Sequence, residues 1–184
     1  NQTPDLSNAD SALQDRILAG HQAVLAQVEY FRANFGTAES SWKKDGTRVT
    51  VVDETISREL FLLLQKEFPS DDFCSEEGAE TAEPIRTKSE FCWILDPVDG
   101  TNNYAVGVPE CCISLGLLRH GMPVYGLIYD YARDNLLQGG KGFGSIEGTS
   151  PVQAATQLVN EKLTYCMHFP IPAQSLEALK QALG

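Results

Sequence analysis

Trp93-Ile94-Leu95-Asp96-Pro97-Val98-Asp99-Gly100-Thr101 decides the reading of this chain. The apolar run Phe91 to Leu95 predicts a strand that delivers two carboxylates, three residues apart, at its C-terminal end. Pro97 has no N–H to give to a ladder, so regular pairing is expected to end there. Gly100 permits a sharp turn or the close approach of a ligand. Two carboxylates side by side repel unless a cation lies between them. Hard oxygen ligands of this kind suit Mg2+, which favours carboxylates, water and substrate phosphate over an all-protein cage. Thr101 adds a hydroxyl beside them. Alone, Asp-x-x-Asp-Gly is also an ordinary turn, so the flanking segments carry weight.

Downstream the pattern predicts strands. Ile113, Leu115 and Leu117 alternate with Ser114 and Gly116, and Val124 to Tyr129, Asn135 to Gln138 and Leu163 to Met167 follow. Upstream it predicts helices. Leu13, Ile17, Val24, Val28, Phe31 and Phe35 make one apolar stripe over 9–35, begun near Ser7 and stopped by Gly36. A polar, turn-like stretch spans 40–49. A second helix then runs from Thr50–Asp53 to about Phe68, burying Ile56, Leu60, Leu63 and Leu64, and Pro69 ends it. A closing helix is expected at 174–183. Helices first, then strands joined by short turns, predict an α+β fold with helices packed on an antiparallel sheet, in a single domain over 1–184.

Two more acidic elements precede the signature. Asp53 sits at a predicted helix start, where a carboxylate is commonly a cap. Glu76-Glu77-Gly78 follows a short strand candidate, Asp72-Phe73-Cys74, inside a run from Asp71 to Glu83 with six acidic residues and no basic one. Such a run is expected to be a solvated loop or a rim that attracts metal.

Together these blocks resemble the inositol monophosphatase family, within the lithium-sensitive, Mg2+-dependent phosphatases. Lys44 to Thr50 with Asp53 resembles its first block, Ser75-Glu76-Glu77-Gly78 its Glu-Glu block, and WILDPVDGTNNY (Trp93 to Tyr104) its signature. The resemblance implies the first half of a layered αβαβα sugar-phosphatase fold. It implies a first Mg2+ on Glu76, Asp96 and the Val98 carbonyl, and a second on Asp96 and Asp99. One ion would activate water and the other would neutralise the leaving oxygen. Thr101 and Asp53 would orient and deprotonate that water, with Glu76 counted among the catalytic residues. Asp99, Gly100 and Thr101 would bind substrate, the Gly100 and Thr101 N–H groups cradling its phosphate. The implied substrate is a small phosphate ester, inositol monophosphate first. Nucleotide 3′-phosphatase and fructose-1,6-bisphosphatase activities are the alternatives, because they share the Asp-Pro-x-Asp-Gly-Thr core. A homodimer and lithium sensitivity are implied as well. The family also carries a Trp-Asp block whose Asp completes the second metal site. Here Trp42 and Trp93 are the two tryptophans, and neither precedes Asp. The chain is therefore expected to be the first half of a larger phosphatase, with a non-catalytic metal-binding or dimerisation module as the rival.

Composition narrows the classes. The 184 residues carry 14 Lys+Arg against 25 Asp+Glu, a formal net charge of −11. A surface of that sign argues against binding nucleic acid or an anionic membrane. No apolar run approaches the roughly 18–20 residues of a membrane span, and the first twenty residues lack the pattern of a secretory signal. Five cysteines, Cys74, Cys92, Cys111, Cys112 and Cys166, show no metal-ligand spacing. They are expected to be reduced thiols, mostly buried as small hydrophobes, in a cytoplasmic protein. His21, His120 and His168 are not spaced as ligands. Lys43 and Lys44 are candidates to approach substrate phosphate, with a solvated loop the stronger expectation.

Overall fold

A computed structural model describes residues 4–43, 46–78 and 87–153. The chain divides into two compact units, Asn1–Gln153 and Ala154–Gly184. The first is described here. The expected strand at 163–167, the expected helix at 174–183, Lys44, Cys166 and His168 lie outside the described residues.

The first unit begins with helix α1 (Ser11–Ala33), capped by the Asp10 side chain accepting from the Leu13 N–H at 2.9 Å. Ser7 is therefore not the start signal. Asp10 takes that role because its oxygen reaches the first orphan amides. A hairpin follows, β1 (Ser40–Trp42) with β2 (Arg48–Thr50), where the sequence predicts only a turn. Its strands are three residues each, with Trp42 and Val49 set among polar neighbours, so no apolar alternation marks it. Helix α2 (Val51–Glu67) starts at Thr50 with a full capping box to Asp53. It buries Ile56, Leu60 and Leu64, but Leu63 is 45% exposed, because a stripe of period 3.6 takes in Leu64 and turns its neighbour outward.

The main sheet runs in the order β3 (Asp72–Ser75), β4 (Phe91–Asp99), β5 (Cys112–Arg119), β6 (Met122–Asp130), β7 (Asn135–Gly140), β8 (Gly144–Glu147) and β9 (Ser150–Val152). The pairs are antiparallel from β4 onward, as expected. The exception is β3 with β4, which are parallel. Fifteen residues, 76–90, separate the two strands in sequence, and a parallel pair requires a connection of that order.

Alternate residues of β4 to β7 point into one core: Trp93, Leu95, Ile113, Leu115, Leu117, Leu127, Tyr129 and Leu136 are buried. Helix α1 lies close against that face. A Cβ on Gly20 would come within 2.9 Å of the Trp93 ring, so a side chain there would push helix and sheet apart. Trp93 is fully buried and its Nε1–H donates to Asp71 at 3.0 Å. Arg16 grips the same carboxylate with two bonds, at 2.8 and 2.7 Å, while its guanidinium stacks over Phe91 and Phe68. Asp71 is thus a buried anchor and not part of a solvated loop. A short helix, α3 (Thr101–Val106), follows β4. Tyr104 pins it: the ring stacks on Phe31 and the hydroxyl donates to the Phe31 carbonyl at 2.6 Å.

Candidate metal and phosphate site

The parallel pairing of β3 and β4 builds the site. Ser75 stands opposite Leu95, so the residues that follow each strand leave the sheet at the same end. Glu76 opens a 3-10 turn, Glu76–Gly78, while Asp96 to Asp99 close β4. An antiparallel β3 would have sent Glu76 to the opposite end. The turn is tied down from behind, because the Ser75 hydroxyl accepts from the Glu77 N–H at 3.3 Å and meets the Ser57 hydroxyl of α2 at 2.8 Å.

Three carboxylates result, Glu76, Asp96 and Asp99. Burial raises the Asp96 pKa to about 8, helped by its hydrogen bond to Glu76 and by the charges of Glu76 and Asp99. Asp96 therefore keeps a proton at neutral pH and donates it to Glu76. Among the described residues, no three His, Cys, Asp or Glu side chains already converge as a ready-made metal cage. The set is oxygen-only, half open, and strained by repulsion.

Pro97 does what its missing N–H predicts: the β4–β5 register slips between Asp96 and Asp99. Pairing resumes at Asp99 opposite Cys112, so the strand survives the proline. Gly100 then turns the chain at φ 88°. A Cβ there would lie 2.7 Å from the Glu110 carbonyl oxygen, so both conformation and space demand glycine.

Thr101 comes next. Its hydroxyl donates to the Val98 carbonyl at 2.9 Å and stands 3.3 Å from Asp53 Oδ1. Asp53 is buried, at 1% exposed, and its other oxygen accepts from the Thr50 N–H and hydroxyl. Burial raises the Asp53 pKa, although those Thr50 bonds favour the charged form. The sequence assigns Asp53 a cap or a catalytic place, and the structure gives it both contacts.

Lys43 is the residue the sequence places wrongly. It is partly buried and its ammonium pairs with both Glu77 oxygens, at 2.9 and 2.8 Å. Burial opposes its charge, but Glu77, Glu76 and Asp53 outweigh it and hold the ammonium pKa above its ordinary value. No spacing rule in the sequence marks Lys43 for this ion pair.

Asp99 also edges an open cavity of about 510 Å³, shared with Glu110, Cys112, Ile128, Asp130 and Arg133. A space of that size beside the carboxylates suits a small polar ligand.

The profile of the inositol monophosphatase family matches residues 10–176. The chain belongs to that family. Among its relatives, tomato (Solanum lycopersicum) inositol monophosphatase 1 is 35% identical over 109 residues, 59% of this chain and 40% of that protein. The fructose-1,6-bisphosphatase/inositol-1-monophosphatase of Aquifex aeolicus is 35% identical over 129 residues, 67% of this chain and 46% of that one. A solved IMPase/NADP phosphatase, complexed with NADP and Ca2+, superposes with a TM-score of 0.69 at 25% identity, covering 82% of this chain and 57% of the other. The chain thus spans about half the length of the relatives it matches. The expected α+β fold, helices packed on an antiparallel sheet, is the fold found, with β3–β4 as the one parallel pair among the described strands.

Proposed function

We propose that the chain carries the metal- and phosphate-handling half of a Mg2+-dependent phosphate monoester hydrolase, acting on inositol monophosphate or a sugar phosphate of similar shape. The observation that carries this reading is the parallel β3–β4 pair, which sets Glu76 against Asp96 with Asp99 just beyond. The residues fit the ion. They offer hard oxygen donors, they repel one another without a cation, and they leave positions open for water and phosphate.

Glu76, Asp96 and the Val98 carbonyl would hold one Mg2+, and Asp96 with Asp99 a second. When bound, the ions supply charge neutralisation and lower the pKa of a bound water. The rest is the work of this chain's own side chains. Thr101 directs its hydrogen at Val98 and Asp53, so its lone pairs are left to accept from a water and aim it. Asp53 fixes that orientation through its 3.3 Å contact and is the acceptor toward which the Thr101 proton moves. Lys43 keeps Glu77 engaged, so that Glu76 alone of the pair faces Asp96. Gly100 and Thr101 N–H groups are the donors this reading gives the phosphate.

The family's second-site Asp, in its Trp-Asp block, is not among these 184 residues. The isolated chain is therefore expected to bind Mg2+ and to release phosphate slowly. The bifunctional name of the Aquifex relative favours fructose-1,6-bisphosphate as the second substrate to try. The reading extends to a cytoplasmic homodimer inhibited by lithium. Among the described residues, no helix is long and apolar enough to cross a membrane.

The test pairs Mg2+ calorimetry with phosphate release from a panel of esters, for the chain and for Asp99→Asn. Loss of both Mg2+ binding and Mg2+-dependent release in the variant is expected, with millimolar Li+ inhibiting the parent. Equal binding and equal release in the two proteins would sink the reading. Mg2+ binding without any turnover would favour the non-catalytic module.

A further inference from the structure

Outside the carboxylate cluster, two thiols stand in direct contact across a pair of strands. Cys74 lies in β3, two residues before Glu76, and Cys92 lies in β4. The register sets Asp72 opposite Cys92 and Cys74 opposite Ile94, so the cysteines are diagonal neighbours on one face of the sheet. Their sulfurs are 3.9 Å apart. Cys74 is half-buried and Cys92 is 1% exposed.

A bond between them needs a sulfur separation of about 2.05 Å. Diagonal positions on neighbouring strands sit about 7–8 Å apart at their backbones, at or beyond the limit for an unstrained disulfide. Bonding therefore requires one strand to move. Among the described residues, β4 is paired on both sides and anchored by Trp93, whereas β3 ends the order of the sheet and pairs on one side. The strand that gives way is β3.

We propose that Cys74 and Cys92 form a reversible disulfide when the protein meets a low-molecular-weight disulfide, and that closing it drags the end of β3 and withdraws Glu76 from Asp96. The effect on metal binding rests on the function proposed above; the thiol pair itself does not. The steps balance. The Cys74 thiolate, its proton released to solvent, attacks one sulfur of the small disulfide, and the departing small thiolate takes up a proton. Cys92 then attacks the Cys74 sulfur of the mixed disulfide, and its proton leaves with the second small thiolate. Two protein thiols lose two electrons, and one small disulfide is reduced to two thiols. Cys92 is 1% exposed whereas Cys74 is half-buried, so Cys74 is the sulfur that a small disulfide reaches first. The strain of the diagonal bond makes it easy to reduce, which is what a reversible switch needs.

The whole chain is equilibrated with oxidised glutathione, blocked with an alkylating agent, digested with trypsin and mapped by mass spectrometry. Peptide 67–86 joined to peptide 89–119 through Cys74–Cys92 is the expected product, with two of the five thiols lost. Hydrogen exchange over 72–78 is expected to speed up. Mg2+ affinity is expected to fall about tenfold or more and to return with dithiothreitol. The Cys74→Ser variant should bind Mg2+ like the parent and ignore the oxidant. Cys74 held only by glutathione, or bonded to Cys111 or Cys112, overturns the pair. A Cys74–Cys92 bond with unchanged exchange over 72–78 overturns the coupling to Glu76. A reduced chain that binds no Mg2+ overturns the proposed metal site instead, and crosslink and exchange still judge the thiols.

Discussion

The two ends of β4 obey different rules. From Phe91 to Leu95 the strand pairs residue for residue with β5, and its core-facing side chains are buried. From Asp96 to Asp99 the register slips, and a half-buried carboxyl is held against two other acids. The first half stabilises the fold through apolar burial. The second is an arrangement that folding alone would not choose, since each nearby negative charge raises the cost of ionising Asp96. Strain at one end of a well-anchored strand is affordable because the other end fixes the backbone.

The largest effect should separate the two ends outright. Trp93→Ala leaves a ring-sized cavity under α1 and removes the Nε1–H that Asp71 accepts, a loss of about 3–5 kcal/mol. Asp96→Asn should change stability by under about 1 kcal/mol at pH 7, because the amide keeps a donor for Glu76. It should nonetheless abolish Mg2+ binding. Urea denaturation alongside a Mg2+ titration checks both. Equal destabilisation by the two changes would break the comparison.

The same contrast has a pH dependence. Folding raises the Asp96 pKa from 3.8 to about 8, so the native state holds a proton that the unfolded chain gives up. That contribution to stability is complete below about pH 4 and is lost progressively as pH rises through 8. The metal-free chain should therefore melt lower at pH 8 than at pH 5, and Asp96→Asn should flatten the difference. Mg2+ should restore stability at pH 8 and release protons on binding near neutrality. A metal-free parent and an Asp96→Asn variant with parallel profiles would remove Asp96 as the cause.

Smaller, but aimed at the joint itself, is Gly100→Ala. The positive φ costs about 1–3 kcal/mol for a residue with a Cβ, before the Glu110 carbonyl is pushed aside. Mg2+ affinity should fall too, since Thr101 and α3 are set by that turn. A stable variant with parental Mg2+ affinity would mean that the turn is not what positions the site.

How much of this was legible depends on how local the cause is. The apolar run leading to Asp96, the break in regular pairing at Pro97 and the helices with their Leu-rich faces all follow from spacing within one element. So does Asp53 at the start of α2, where Thr50 sits three residues earlier. Four features escaped. The parallel sense of β3 depends on a crossover whose path no periodicity records, so an antiparallel sheet was expected throughout. The β1–β2 hairpin has strands too short for an apolar alternation to show, and Lys43 gains its ion pair from a turn in that hairpin. Leu63 fails for a finer reason: adjacent leucines on a helix point about 100° apart, and only packing decides which one is buried. The site's residue types were visible in sequence, whereas the pairing that makes them one site was not.

Thr50 offers the subtlest way to sharpen the comparison. Its hydroxyl oxygen caps α2 by accepting from the Val52 and Asp53 N–H groups, and its hydrogen goes to Asp53 Oδ2. Thr50→Ala should cost about 1 kcal/mol, as the loss of an N-cap does. If capping were its whole role, Mg2+-dependent phosphate release would change only as stability does. Asp53, however, also meets Thr101, and its orientation depends on what Thr50 holds. Release should therefore fall further than stability in Thr50→Ala, with Mg2+ affinity unchanged. Thr50→Ser, which keeps the hydroxyl, should recover both. A parallel loss of release and stability across the two variants would assign Thr50 and Asp53 to the helix alone, and would leave Thr101 to aim the water with only the Val98 carbonyl behind it.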